Sequence, residues 1–208
     1  MLSNRLKYIY KLISTPTIVW DIGCDHGLLG LGFKNNPEVQ EIHLVDPSLD
    51  VIKKLKANID SDIPKSKIFI HHQKGQEITL RKEFKNSLVI TGMGGKEMRD
   101  ILQVLITQLN QEDEIILSPH RNFLLLRDYL SQSSYLLVSE SVVSDSGHYY
   151  QILKLSLGPQ YKQVSPYGDS LWQSEEGRLY REFLIQHFQH HRDVVSNDFL
   201  KFLQNLVV

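Results

Sequence analysis

The run Asp21-Ile22-Gly23-Cys24-Asp25-His26-Gly27 sets carboxylates and glycines at a spacing that suits a small-molecule site. Glycine lets a backbone approach a bound ligand where a Cβ would block it. A strand-turn-helix built for a pyrophosphate wants free N–H groups and little negative charge nearby. Asp21 and Asp25 flank this turn and would repel such a group. They suit instead a cationic centre, an amino group or a ribose. The bland alternative is an ordinary strand-to-helix turn of some other α/β protein.

Asp46 lies 23 residues beyond Gly23, at the end of a second apolar run. In a doubly wound sheet this carboxylate stands beside the first turn, at the strand edge where ligands bind. There it can accept ribose hydroxyl protons. It can equally cap the helix that starts near Pro47, and one carboxylate can do both. A nicotinamide dinucleotide site also uses an acid here. Its Gly-x-Gly-x-x-Gly fingerprint, however, contains no carboxylate, and Asp25 stands in the place of the middle glycine. S-adenosylmethionine carries a sulfonium, an amino group and a ribose, and fits the set better.

Further along, Gly92-Met93-Gly94-Gly95 has three glycines in four positions, which permits positive φ and close approach by a flat ligand. A tight turn with an N-cap is the plainer reading. In Ser118-Pro119-His120-Arg121-Asn122, His120 and Arg121 could meet an anionic substrate or simply form a solvated loop. His187, His190 and His191 have the i, i+3, i+4 spacing of a metal site, but no acidic or cysteine partner matches it. A polar helix face is therefore expected there, and no metal. His71-His72 is read as the end of a strand. Cys24 could be a nucleophile, but a small, partly buried filler is the expectation.

These residues need a frame. Residues 2–14 repeat apolar side chains at helical spacing (Leu2, Leu6, Ile9, Leu12, Ile13), and Thr15-Pro16 ends the helix. Strands are predicted at 18–22, 42–46, 67–71, 88–91 and 114–118. Helices are predicted over 28–34, from Pro47 through Ile59, over 96–109 and around 124–130. The rhythm then changes. Residues 135–143 and 148–157 are β-rich, and Ser144-Asp145-Ser146-Gly147 between them has hairpin chemistry. Five βα units and a terminal hairpin describe an α/β, doubly wound, Rossmann-like sheet that is mostly parallel with an antiparallel last strand. Residues 158–168, with two glycines and two prolines, read as a linker. Beyond it, one apolar stripe comprises Leu179, Tyr180, Phe183, Leu184, Ile185 and Phe188. Another comprises Val195, Phe199, Phe202, Leu203 and Leu206, with Ser196-Asn197-Asp198 as capping residues. Two packed helices or one long kinked helix both fit. The division expected is a cofactor-binding domain over 1–158 and a small helical appendage over 169–208.

The bulk composition sets limits. The 208 residues suffice for one full domain and a small addition. No run approaches the apolar length of a membrane span, and the N-terminus lacks a signal-peptide core. A single cysteine suits a cytoplasmic protein. The net charge of −1 conceals an asymmetry: residues 1–100 hold 15 Lys and Arg against 12 Asp and Glu, while residues 101–208 hold 8 against 12. The whole-chain charge argues mildly against a nucleic-acid partner but leaves room for local patches.

Taken in order, the motif from Asp21 to Gly27, Thr91-Gly92-Met93-Gly94-Gly95, Ser146-Gly147-His148-Tyr149-Tyr150 and the Tyr167-Gly168 segment resemble the bacterial tRNA (adenine-22-N1)-methyltransferase family, TrmK. The resemblance covers nearly the whole chain. It implies a class I S-adenosylmethionine-dependent methyltransferase domain and a C-terminal, coiled-coil-like helical region that helps hold tRNA. By position, Asp21, Gly23, Cys24, Asp25 and Gly27 would line the methionine end of the cofactor. Asp46 and Pro47 would serve the ribose, and Gly75-Gln76 would lie near the adenine. Gly92, Met93, Gly94 and Gly95 would border the methyl-transfer site. Asp25 would stabilise developing charge together with the carbonyls of that loop, with His26 as orienter.

Three features depart from the family pattern: Gly75-Gln76-Glu77 replaces Gly-Asp-Gly, His120 follows Pro119 in place of Asn, and the C-terminal helices are short and poor in Lys and Arg. They keep two alternatives in view: a methyltransferase acting on another RNA site or a small molecule, and a non-catalytic binding protein with the same fold. A tRNA face is expected from Arg5, Lys7, Lys11, Lys53, Lys54 and Lys56. The sequence does not set the oligomeric state and leans towards a monomer.

Overall fold

The computed structural model describes residues 2–59, 67–190 and 194–206. Its first helix, α1 (Asn4–Leu12), is capped by Ser3, whose hydroxyl accepts the Leu6 N–H. Strand β1 (Thr17–Ile22) follows and is buried along its whole length. Alternation along the strand feeds two cores: Ile18, Trp20 and Ile22 enter one and Val19 the other. Then come α2 (Leu28–Leu31), β2 (Val39–Asp46), α3 (Leu49–Asn58), β3 (Ile68–His72), β4 (Asn86–Thr91), α4 (Gly95–Leu105), β5 (Glu114–Ser118) and α5 (Phe123–Ser131). The predicted βα alternation holds except after β3, which reaches β4 through a three-residue 3-10 turn (Gly75–Glu77) and no α-helix, so four βα units stand where five were expected. Helix α2 is a single turn that stops well short of Lys34.

Strands β6 (Leu136–Asp145) and β7 (His148–Ser156) form the expected hairpin. Ser146 and Gly147 connect them with φ of 51° and 79°. Positive φ at both central residues marks the turn whose twist matches antiparallel strands. The sheet order is β3-β2-β1-β4-β5-β7-β6, with a two-residue strand β8 (Lys162–Gln163) on the far edge. Strands β1 to β5 run parallel, and β7 inserts antiparallel between β5 and β6. The chain reverses direction across the sheet between β1 and β4, which opens a crevice at their carboxyl ends. Helices α1, α2 and α3 share one core with one sheet face, and α4 and α5 share the other.

Residues 158–168 are more than a linker. Strand β8 pairs with Leu136 and Leu137, and Val164 is buried. Strand pairing, the buried Val164, Tyr167 packed on Phe199 and Phe202, and the Arg127 side chain donating to the Ser165 carbonyl hold the segment despite its prolines and glycines. Two helices follow, α6 (Glu175–His190) and α7 (Val194–Asn205). Tyr180, Leu184, Phe199 and Leu203 pack with Leu171, Trp172 and Val142. The Arg181 side chain donates to the Leu203 carbonyl at 2.7 Å, tying α6 to α7. The predicted stripe on α6 is too wide, because Leu179 and Phe183 stay about half exposed. Helix α7 begins before Asn197 and Asp198, so these lie within its first turns and do not cap it. The side chains of His190 and Val195, and all of His191, lie outside the described residues. Among the described residues no cluster could hold a metal ion, and no helix is long and apolar enough to cross a membrane.

Candidate active site

The carboxyl ends of β1, β2 and β4 surround a cavity of about 500 Å³. That size suits a nucleoside-sized ligand. Asp21, Gly23, Cys24, Asp25, His26, Asp46, Pro47, Gly92 and Met93 all line it.

The turn after β1 is held from β2. The Gly23 and Cys24 N–H groups both donate to the Val45 carbonyl, at 2.9 and 3.2 Å. Asp46 Oδ2 accepts the Asp25 N–H at 3.3 Å and Oδ1 accepts the Ser48 N–H at 2.8 Å. Each oxygen keeps a further lone pair for a ligand. Asp46 does not cap α3; Ser48 does, its hydroxyl accepting the Val51 N–H. Two positions require glycine. A Cβ on Gly23 would stand 2.6 Å from the Met93 methyl and 3.0 Å from the Thr91 carbonyl, at φ +74°. Gly92 has φ +76° and open space before it, so its backbone faces the cavity.

Asp21 is buried, with one oxygen accepting the Gly30 N–H at 2.9 Å. Burial pushes its carboxyl up to about 7; the Gly30 hydrogen bond opposes the rise and the Asp46 charge adds to it. Burial also pushes the Cys24 thiol up, with help from the charges of Asp21 and Asp46. A thiol held protonated in this way is no nucleophile, so Cys24 fills space. Asp25 and His26 stand on the rim, 3.6 Å apart and largely exposed, with Asp25 held at φ +48°.

Five predicted residues sit elsewhere, among them Gly95, which opens α4 against the Asn122 backbone. Gly27 starts α2 and packs on Leu55 and Leu44, while Gly75 packs on Ile22 and Ile101. Gln76 follows Gly75 in a short 3-10 turn, and neither lines the cavity. Gly94 caps α4 beside Glu97 and Arg121. These residues shape the walls from behind. The loops after β4 and β5 are joined, because the His120 N–H donates to Met93 and the Gly95 N–H to Arg121.

The cavity also contains residues to which the sequence assigns no role there: Leu6, Leu28, Leu29, Thr91 and above all Arg5. Arg5 leaves the expected basic face and turns inward. Its guanidinium bonds His120 Nε2 and lies 4.6 Å over the Tyr150 ring. Burial lowers the His120 pKa, and the Arg5 charge adds to that. No local pattern marks Arg5, since its place depends on how α1 lies across β6 and β7.

The model of the methyltransferase-domain family matches residues 2–153. The chain belongs to the methyltransferase-domain family. Among the relatives of this chain is the tRNA (adenine(22)-N(1))-methyltransferase of Bacillus subtilis (strain 168), 24% identical over 157 residues. The match takes in 76% of this chain but 66% of that relative, so the chain spans just under two thirds of its length. The crystal structure of the B. subtilis m1A22 tRNA methyltransferase TrmK superposes with a TM-score of 0.77 at 21% identity, over 99% of this chain and 95% of that one. The structure of M. capricolum TrmK with S-adenosylhomocysteine gives 0.76 at 22% identity, over 99% and 94%. These likenesses show a shared fold over nearly the whole chain, the C-terminal helices included, beyond the residues that the family model matches.

Proposed function

We propose that the chain is an S-adenosylmethionine-dependent methyltransferase whose acceptor is N1 of adenine 22 in tRNA. The observation that carries this reading is the cavity wall: Asp46, Asp21 and Asp25 converge on a glycine-lined crevice about 500 Å³ in volume. Three carboxyls around one cavity match a cationic ligand bearing a ribose. The relatives named for the same reaction supply the acceptor.

S-adenosylmethionine would bring an electrophilic methyl group. The chain's task is then to position donor and acceptor. Asp46 holds the ribose hydroxyls with its remaining lone pairs. The Gly23 and Gly92 backbones admit the donor closely. Adenine N1 has a free lone pair, so attack needs no base. Positive charge grows on the ring as the bond forms, and Asp25 is the acidic group on the rim that offsets it. The Met93 carbonyl already accepts from His120, which leaves Asp25 the larger share. His26 orients Asp25.

Residues 1–158 carry the cofactor and residues 169–208 extend the RNA surface. Lys7, Lys11, Lys53, Lys54 and Lys56 are exposed on α1 and α3, which pack on one sheet face. They form the electrostatic footprint, without Arg5. A tRNA substrate places the activity in the cytoplasm.

The test is incubation of the full chain with labelled donor and unmodified tRNA transcripts, followed by primer extension. The expected result is a stop at nucleotide 22 that disappears in a transcript carrying guanosine there. Labelling elsewhere in the RNA moves the acceptor. Cofactor binding without transfer to total tRNA points to a small-molecule acceptor. No cofactor binding leaves a non-catalytic binding protein.

A further inference from the structure

A second cavity, about 670 Å³, lies between the β6–β7 hairpin, the loop after β5 and α6. Its walls are aromatic. Tyr149 stands 5.5 Å from Tyr180 and 6.0 Å from Phe183, centroid to centroid. Phe183 lies nearly parallel to Tyr180 and to His187, with centroids 6.5 and 6.2 Å away. Tyr180 is buried and serves the core, but Phe183 is 52% exposed. With Leu179, one turn earlier on α6 and also about half exposed, it forms an apolar patch at the mouth of the cavity, the kind of surface that marks a contact with something else.

Two observations identify the occupant. The lining holds Arg121 and the histidines 120, 148 and 187, and among the described residues it contains no Asp or Glu. Arg121 is tethered only loosely, at 3.4 Å from Glu97, with both side chains exposed. Arg121 supplies the positive charge of this acid-free rim and the histidines supply ring nitrogens for hydrogen bonds, which favours a phosphate-bearing ligand. His120 also belongs to the wall of the first cavity, so the two spaces adjoin. A ligand in the second can therefore be covalently continuous with the acceptor in the first.

We infer that the second cavity is a nucleobase subsite: it takes an unpaired base next to the target adenine, on the same RNA strand, stacked on Phe183 and Tyr149. Flat aromatic faces, a cationic rim and adjacency to the transfer site are what single-stranded RNA recognition uses. The inference rests on the RNA-acceptor reading above. It adds that the enzyme grips two neighbouring nucleotides, one for chemistry and one for register.

The test is a cycle of protein and RNA changes under single-turnover conditions. Phe183→Ala should raise the apparent Kd for a tRNA transcript roughly tenfold, the scale of one lost base–aromatic stack. Phe183→Trp should restore affinity and Phe183→Leu should not. An abasic nucleotide at one neighbour of adenine 22 should cost the wild-type chain a similar factor, and Phe183→Ala little more. Calorimetric affinity for S-adenosylmethionine should not change. An unchanged RNA Kd in Phe183→Ala, or an abasic penalty that persists fully in that variant, overturns the subsite while the RNA-acceptor reading stands. A wild-type chain that neither binds nor methylates tRNA removes both. A dimer in sedimentation that Phe183→Ala dissociates assigns the groove to a second copy of the chain instead.

Discussion

Asp46 Oδ2 accepts the Asp25 N–H at 3.3 Å, so the carboxylate that ends β2 also holds the turn that follows β1. One side chain thus shapes the site and offers lone pairs to its ligand. Asp46→Ala should weaken S-adenosylmethionine binding about 100-fold, the scale of two charge-assisted hydrogen bonds. Asp46→Asn, which keeps acceptor capacity at one oxygen, should lose less. Isothermal calorimetry on the full chain decides it, and equal affinity in all three proteins would remove Asp46 from the ribose.

Asp21 makes the empty site pH-sensitive. Its folded pKa is raised to about 7, by burial first, against an ordinary value near 3.8 in the unfolded chain. The folded state therefore binds this proton more tightly than the unfolded state does. Its contribution to stability is complete below pH ~4 and is lost as the pH climbs to ~7, on the order of 4 kcal/mol in all. Asp21→Asn has no such proton to lose. Its Tm relative to wild type should rise steadily between pH ~4 and ~7 and then level off. A cationic cofactor favours ionised Asp21, so wild-type affinity should increase through pH ~7 while that of the variant stays flat. Parallel Tm curves for the two proteins would show that Asp21 titrates normally.

Much of the site was legible because backbone demands leave a mark on composition. Gly23, Gly92 and Gly147 hold positive φ, and a turn that needs such angles displays glycine. Asp46 was legible because strand order places the end of β2 beside the end of β1. Gly27, Gly75 and Gly94 show the limit of that logic: their missing Cβ atoms make room for side chains of the wall, and sequence does not separate that from ligand contact. Arg5 was hidden for another reason. On a helix read alone it matches Lys7 and Lys11, and only the docking of α1 on the hairpin turns it towards His120. The hold on residues 158–171 was equally invisible, since it depends on Glu140, from a strand that reads as ordinary alternation.

That hold centres on Arg127 and Glu140, 2.6 Å apart with both side chains buried. Glu140 Oε1 also accepts the N–H groups of Asp169, Ser170 and Leu171 at 2.7, 2.8 and 3.1 Å. Arg127 also donates to Gln151 and to the Ser165 carbonyl. Breaking a buried pair from one side leaves a desolvated charge. Glu140→Ala should cost about 3–5 kcal/mol in urea unfolding, and Glu140→Gln, which still accepts from the three N–H groups, should cost less. Limited proteolysis should cut Glu140→Ala between residues 158 and 175 before the sheet unfolds. Equal stability of the two variants would mean that the charge, and not the acceptor, anchors this segment.

The remaining prediction concerns Arg5, which reaches His120 and Tyr150 at the point where the two cavities meet. His120 Nε2 accepts from the guanidinium, so a neutral ring carries its proton on Nδ1. Partial burial, aided by the Arg5 charge, lowers the His120 pKa below the ordinary histidine value. Arg5→Leu removes both the charge and the donor. The His120 resonance should then titrate at higher pH by NMR, and methyl transfer to tRNA should fall on the order of tenfold in kcat/KM, the scale of one charged hydrogen bond. The loss should deepen below neutral pH, where the freed imidazole gains a proton beside the acceptor. Arg5→Lys should recover the charge effect but not the planar contact over Tyr150. If Arg5 acts only as part of the basic surface, Arg5→Leu will weaken RNA binding in a salt-dependent way, Arg5→Lys will not, and both will leave the His120 titration where it was.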